Sequence, residues 1–390
     1  MGAVRLPLGE DTSLIPHPPL FAVSTERNET AVFAAENLDE SFHTVDFRID
    51  GPLAGGGSTG IPPREWRSLS LKLRQDPAAN LSGGARADTA GPDGLLREQM
   101  TVSSGTEHSQ TPVYFAVVPE KGTIGYRFDF DLDGNPEWVL ENAGLRLIFS
   151  PEAGGRAIAL VDKSSAVNLA TTIGLLADHF AYTPNPPGIN PARAHGRYGM
   201  FNRRYRAEWL NEDDGRALRL SYRAPDVTPA GARIEKTIRL LDAHRFAVDY
   251  DVVLDAAAPA DAANPFAAPL PQGIRQAFVA VNSVLAHSGG AQSTRFCWSA
   301  APRAADGSEP PPERCETFAP GGDTLNLPPT VERIEVRTLG KPSLVIGWKN
   351  ARMTVEMKNY SALLRLEFHP LQPGGGPTHP RVEFTVQNNE

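Results

Sequence analysis

The sequence predicts an all-β protein made of two consecutive antiparallel sandwiches. Glycine and proline, 35 of each in 390 residues, are too numerous for a helical chain. They recur about every ten residues, in the way turns punctuate strands. Between them lie short runs in which apolar and polar side chains alternate, the period of a strand with one buried face. A chain of this length can bury the cores of two or three domains.

Residues 1–19 read as a tail or linker, because Pro16, Pro18 and Pro19 block regular pairing. From Leu20 to Val118 the runs FAVSTE, TAVFAAEN, HTVDFRID, RSLSLKLR, LREQMTVSS and TPVYFAVVP predict the strands of a small sandwich. The glycine-rich insert GPLAGGGSTG between them reads as a loop. The PEKG turn after Val118 marks a boundary, and residues 119–390 form the second unit. Its runs, among them GLRLIF, RAIALVD, RALRLSYRA, ARIEKTIRLL, RFAVDYDVVL and ALLRLEF, are separated by long polar or Pro-rich connections. That spacing suits one large antiparallel sandwich better than two small ones. The segment NLATTIGLLADHFAY admits one short helix, against its β-branched content.

The sharpest chemical signal is the run DFDLDGNPE, residues 129–137, with four carboxylates around one glycine. Carboxylates this close repel by about 1 kcal/mol per pair at ~4 Å in water, and a bound Ca²⁺ reverses the sign. Asp129, Asp131 and Asp133 alternate, Gly134 lets the backbone fold back, and the Asn135 carbonyl and Glu137 follow as further oxygen ligands. Leu140 stands where an EF-hand loop ends on a glutamate, and Glu141 comes one residue late. The flanks YRF and EWVLE read as strands. The run therefore resembles the DxDxDG calcium loops found between strands of extracellular β proteins. The expectation is a structural Ca²⁺ that stiffens the joint between the two units, with a solvated acidic turn as the alternative.

A net charge of -8 with no dense Lys/Arg stripe argues against nucleic acid and anionic membrane as partners. No stretch approaches the ~18 apolar residues of a membrane span. The opening MGAVRLPLGEDTSLIPHPPLF has neither the apolar core nor the cleavage site of a signal peptide. Either export is encoded upstream and the chain is a fragment, or the protein stays in the cytoplasm. Cys297 and Cys315 bracket a loop rich in Pro, Ala and Gly. A disulfide across it is preferred to two unpaired thiols, since an oxidising compartment also suits a calcium site; the expected location is extracellular or at the cell surface.

Two resemblances add to this reading. VFAAENLDESFHTVDFRI followed by IPPREWRSLSLKL resembles the strand rhythm of immunoglobulin-like or fibronectin-like modules appended to secreted enzymes. Farther on, Glu141-Asn142, Pro151 with Gly154-Gly155-Arg156, Asp178-His179-Phe180, Glu208-Trp209 and Lys236 follow one another over about residues 126–390. This order resembles the galactose mutarotase-like supersandwich, most of all as it forms the C-terminal domains of family 57 glycoside hydrolases and 4-α-glucanotransferases. The resemblance implies a supersandwich fold and a carbohydrate partner. In those hydrolases a catalytic barrel precedes the domain and carries the nucleophile. This chain has no such barrel, so an upstream catalytic domain or self-assembly completes the expected partners.

A sugar mutarotase needs a carboxylate base at the anomeric hydroxyl and an acid, usually histidine, at the ring oxygen. The candidates are Asp178, His179 and Glu367, the last in LEFHPLQPG, whose LQPG resembles the Leu-x-Pro-Gly turn near the mutarotase C-terminus. The plainer alternatives are a strand-end pair for Asp178 and His179, and an outward solvated glutamate for Glu367, which alternates with Leu364, Leu366 and Phe368. HGRYGMFNRRYRAEW gathers Arg197, Tyr198, Asn202, Tyr205 and Trp209, flat faces and forked donors that suit a glycan groove. GRYGMFNRR also resembles the GRxxNR motif of aldose epimerases, although it carries one extra residue and follows the histidine. Against the groove stands a reading with two of these aromatics in the core and the arginines solvated; Trp138 and Trp348 read as core. No GxSxG, P-loop or HExxH motif occurs. The expected function is a non-catalytic carbohydrate-binding accessory protein stabilised by calcium. Its rivals are an aldose epimerase using His179 and Glu367, and a structural or adhesion subunit of a surface assembly.

Overall fold

The computed structural model describes residues 20–24, 30–37, 40–72, 74–75, 94–171, 174–182, 203–224, 232–254, 274–281, 294–299, 312–319, 321–357, 362–368 and 377–388. Every regular element among them is a β-strand. No helix among the described residues is long and apolar enough to cross a membrane. The chain divides into two compact units, Met1–Pro136 and Glu137–Glu390. The sequence places the division after Val118, but the acidic run clusters with the first unit up to Pro136.

The first unit contains β1 (Leu20–Ser24), β2 (Thr30–Glu36), β3 (His43–Asp50), β4 (Leu53–Ile61), β5 (Trp66–Lys72), β6 (Arg74–Gln75), β7 (Leu96–Ser104), β8 (Glu107–Val118) and β9 (Ile124–Phe128). One sheet runs β1-β8-β7-β3-β4-β6, β1 lying parallel to β8, and β2 pairs with β5. Alternation decides which side chains go inward: Val45, Phe47 and Ile49 of β3 are buried, and their neighbours on the same strand are exposed. The insert GPLAGGGSTG is not the loop its composition predicts. It forms most of β4, in register with β3. The Phe47 ring lies over Gly57, where a Cβ would come within 2.8 Å of Cζ, so an aromatic ring from the neighbouring strand fills the space left by the missing side chain.

The second unit contains β10 (Glu137–Glu141), β11 (Leu145–Ser150), β12 (Arg156–Asp162), β13 (Val167–Asn168), β14 (Ala177–Tyr182), β15 (Arg206–Glu212), β16 (Gly215–Ala224), β17 (Ala232–Leu240) and β18 (Arg245–Leu254). It continues with β19 (Ile274–Val281), β20 (Thr294–Trp298), β21 (Arg314–Thr317), β22 (Leu325–Asn326), β23 (Arg333–Thr338), β24 (Ser343–Lys349), β25 (Ala351–Met357), β26 (Ala362–Phe368) and β27 (Arg381–Gln387). A nine-stranded sheet runs β15-β16-β17-β18-β27-β24-β23-β20-β21, and a five-stranded sheet runs β14-β19-β26-β25-β22. Strands β10 to β13 form a successive antiparallel ribbon. The stretch that admitted a helix begins at the end of β13 and closes with β14, whose residues pair with β19.

One hydrophobic core joins these layers. Leu364, Leu366 and Phe368 of β26 meet Leu218, Leu220, Phe246, Val248 and Phe384 of the nine-stranded sheet, together with Leu145, Leu147 and Phe149 of the ribbon. The Tyr250 and Phe368 rings, from opposite sheets, lie 5.1 Å apart. Glu141 ends β10 fully buried against Arg146 and Lys163. Burial alone would raise its pKa, but the two cations and their hydrogen bonds hold it below the usual carboxylate value.

A disulfide joins Cys297 to Cys315 across the β20–β21 pair, where the two residues lie directly opposite. It closes a segment of 18 residues. Loop-closure entropy of that size is worth about 3 kcal/mol, so reduction should lower the unfolding free energy by roughly that much in paired urea titrations with and without dithiothreitol.

Candidate functional site

The second unit is organised about a buried ion pair. Asp178 of β14 is 1% exposed and Lys236 of β17 is 0% exposed. Lys236 Nζ donates to Asp178 Oδ2 at 2.8 Å and to the Leu176 carbonyl at 3.0 Å. The Tyr205 hydroxyl donates to the same carboxylate oxygen at 2.9 Å. Because β14 belongs to the five-stranded sheet and β17 to the nine-stranded one, the pair ties the two layers together. Burial raises the Asp178 pKa, with Lys236 opposing it, and burial lowers that of Lys236, with Asp178 opposing it. Each charge is held in the core by the other and contributes little net stability. Burial, reinforced by the Asp178 charge, also pushes the Tyr205 and Tyr250 phenols well above their ordinary value.

The chain around Tyr205 is built to hold it there. Its amide donates to the Pro151 carbonyl at 2.9 Å, and the Gly154 amide donates to the Arg203 carbonyl at 3.0 Å. Gly155 has φ +58°, and a Cβ there would come within 2.8 Å of the Tyr205 ring. Tyr222 stacks on the other side, with ring centroids 5.4 Å apart.

Fixing Asp178 inward turns His179 to the opposite face of β14, since successive strand residues alternate. In register, His179 pairs with Phe278 of β19 and Phe278 with Glu367 of β26. Glu367 in turn pairs with Arg352 of β25. His179, Glu367 and Arg352 thus share one face of the five-stranded sheet, with the Cα atoms of His179 and Glu367 about 10 Å apart across one intervening strand. Glu367 is half-buried beside Arg365, whose guanidinium lies 3.5 Å from Glu367 and bonds Glu356 at 2.6 Å. Arg352 is exposed and makes no hydrogen bond among the described residues. Of the three, Arg352 is exposed, Glu367 is half-buried and His179 is buried, at 6% exposure.

The other candidates divide differently. Asp178 faces the core and cannot act beside His179, because its carboxylate is spent on Lys236 and Tyr205. Tyr205 is 2% exposed and offers no ring to a sugar. Trp209 packs against the core on Trp138, with ring centroids 4.6 Å apart, and Arg216 lies over it. Arg197, Tyr198 and Asn202 lie outside the described residues, as does the LQPG turn. Sequence reasoning missed Arg352, which the β25–β26 register brings opposite Glu367, and Arg365, which the alternation of β26 puts on the same face two residues before it.

In the acidic loop Asp131 and Asp133 are exposed, Asp129 and Asn135 are half-buried, and Glu137 is buried at the start of β10. Asp129 accepts from the Asp133 and Gly134 amides at 3.2 and 2.9 Å, and Asp133 accepts from the Asn135 amide at 2.7 Å. Gly134 has φ +86° and Leu132 φ +59°, so the loop folds back tightly at both. Asp129 and Asp131 present carboxylate oxygens within 4.8 Å of each other. Two oxygens that each lie ~2.4 Å from one Ca²⁺ are separated by no more than about this distance, so the spacing of this one pair is compatible with a shared ion.

No family model and no curated protein matches the sequence. Among solved structures, the chain is similar to a 4-alpha-glucanotransferase from Thermococcus litoralis, with 16% identity over 67% of this chain and a TM-score of 0.41. The aligned part spans 39% of the glucanotransferase. It is also similar to a galactose mutarotase-like protein from Clostridium acetobutylicum, with 9% identity, 69% of this chain and 99% of that one, and a TM-score of 0.42. A GalM/aldose epimerase homologue from C. elegans aligns at 13% identity over 63% of this chain and 97% of that one, with a TM-score of 0.39. Likeness at this level says nothing about chemistry.

Removing one partner of the buried pair leaves an uncompensated charge in the core. Lys236→Met should cost about 3–5 kcal/mol in urea unfolding, and adding Asp178→Asn should recover most of that loss. In Lys236→Met alone, Asp178 loses its cation and its folded pKa rises further above the unfolded value. A raised pKa contributes stability that is lost as pH rises from the unfolded carboxylate value of about 3.9 through the folded one, so the deficit of this variant should deepen with rising pH above about 4.

Proposed function

We propose that the second unit is a non-catalytic carbohydrate-binding domain whose ligand lies on the outer face of β14, β19, β26 and β25. The observation that carries this reading is the row of His179, Glu367 and Arg352 on one face, in which the buried His179 backs the half-buried acceptor Glu367 and the exposed donor Arg352. Two features favour binding over turnover. Glu367 is engaged by Arg365 at 3.5 Å, and the carboxylate next to His179 in sequence points into the core. The first unit we read as an immunoglobulin-like module. Support comes from its strand order, in which β1 runs parallel beside β8 and β2-β5 stand apart as a second sheet. The Cys297–Cys315 disulfide supports an oxidising, extracellular or cell-surface setting.

A second reading, an aldose epimerase, draws on the same register of His179 and Glu367. Polarimetry separates the two. Binding without turnover predicts saturable chemical-shift changes with free galactose or glucose, weakened about tenfold or more in Glu367→Gln and His179→Ala, and mutarotation no faster than in buffer. Accelerated mutarotation that disappears in Glu367→Gln would instead establish the enzyme.

The acidic loop we propose as a structural calcium site formed by Asp129, Asp131, Asp133, the Asn135 carbonyl and Glu137. The converging carboxylates of Asp129 and Asp131 and the left-handed turn at Gly134 support it. Millimolar CaCl₂ should raise the melting temperature relative to EDTA, and Asp131→Asn should remove most of that gain. Sugar affinity should stay unchanged between the two conditions; an EDTA-treated protein that remains folded but no longer binds sugar would overturn the structural role.

A further inference from the structure

The outward face of the nine-stranded sheet carries a line of alternating charge. Glu212 pairs with Arg239, Arg239 with Asp249, Asp249 with Arg381 and Arg381 with Glu383, all at 2.8 to 2.9 Å. On the next strand the line stops, because the residue opposite Glu383 is Gly347. Beyond it, opposite Gly347 on β23, stands Arg333. Two strand spacings separate Glu383 and Arg333 by about 10 Å at Cα, too far for them to close the line themselves.

The gap is a cleft of ≈ 450 Å³, whose lining includes Ser299, Glu332, Arg333, Lys349 and Glu383. Arg333 and Lys349 are exposed, and neither makes an ion pair or hydrogen bond among the described residues. Arg381 and Glu383 are by contrast satisfied by each other and by Asp249. The edge is held by the backbone, with the Trp348 amide donating to the Glu332 carbonyl at 2.9 Å. Gly347 itself has no conformational reason to be glycine. Its φ is not in the left-handed region, and a Cβ built there would meet its nearest atoms at 3.7 and 4.0 Å, ordinary contact distances. Strand glycines serve at bulges, bends or close approaches, and with the register unbroken at Gly347 on both sides, the open space over it is room for a ligand.

We propose that this cleft is a second ligand site, separate from the His179 face, that binds an acidic sugar unit, a hexuronate. The ring lies over Gly347, its carboxylate bridges Arg333 and Lys349, and its hydroxyls meet Glu332 and Ser299. The exposed Arg333 guanidinium, whose charge also acts on Glu335, and the Lys349 ammonium select the carboxylate, and a cleft of ≈ 450 Å³ has room for one pyranose ring. Only the choice of a sugar rests on the carbohydrate reading given above; the preference for an anion rests on the cleft.

The test is titration of the whole protein with sodium galacturonate, galacturonate methyl ester, galactose and sodium acetate, followed by NMR. Galacturonate should bind saturably, and the ester, galactose and acetate at least about tenfold more weakly at this site. Gly347→Val, whose Cβ meets its nearest atoms at ordinary contact distances, should abolish binding while leaving the melting curve in place. Arg333→Gln and Lys349→Gln, both at exposed positions, should each weaken it about tenfold and carry the test if the valine variant does not fold. The proposal fails if the wild type does not bind galacturonate, if folded Gly347→Val binds it unchanged, or if acetate binds as tightly. Glu367→Gln should leave galacturonate affinity within about twofold, which keeps this result independent of the other face. Loss of galacturonate binding in that variant would move the anion to the His179 face and overturn the cleft.

Discussion

The second unit depends on one constraint: a carboxylate and an ammonium group lie in its core and can remain there only together. Asp178 and Lys236 come from opposite sheets, and neither has solvent to turn to. Separating the layers, or sliding β14 by one residue, would strand a charge in apolar surroundings. The pair therefore acts as a register pin. Hydrophobic contacts alone would tolerate several alignments of β14 against the core, but the ion pair tolerates one.

The pin also explains why the short motifs of this unit occur together. Pro151, Gly154 and Gly155 position Tyr205, Tyr205 bonds Asp178, and Asp178 bonds Lys236. Residues spread over some ninety positions thus serve a single buried junction, with Glu141 and its two cations forming a separate satisfied charge nearby in sequence. Function is left to the faces that point away from the core. On β14 Asp178 is architectural, and the alternation of the strand turns its neighbour His179 to the opposite face, where it is 6% exposed. The nine-stranded sheet follows the same rule: its inner face holds the core, and its outer face holds ordered ion pairs that break off at Gly347.

Much of this was legible in the chain. Alternation and turn punctuation specify an all-β protein, because both are local properties of the sequence. The strand character of the residues around the acidic run follows from their β-branched and aromatic content in the same way. The glycine-rich insert misled, since composition cannot reveal that Phe47 of the neighbouring strand covers Gly57. Adjacent residues were also hard to separate: Asp178 and His179 read as a pair, and a strand sends such neighbours to opposite faces. Tyr205 and Trp209 illustrate a third difficulty, because an aromatic in a polar context looks equally suited to a groove and to a core.

By itself the sequence determined the class of fold, the clustering of carboxylates in the acidic loop and the presence of His179 and Glu367 as candidates, each carried by a few neighbouring residues. The tertiary structure alone decided which polar groups meet. The Asp178–Lys236 bond spans 58 residues, and the His179, Glu367 and Arg352 row is assembled from three strands. Pairings of this kind are fixed by sheet register, which arises from the whole core packing at once, so no local stretch of the chain encodes them.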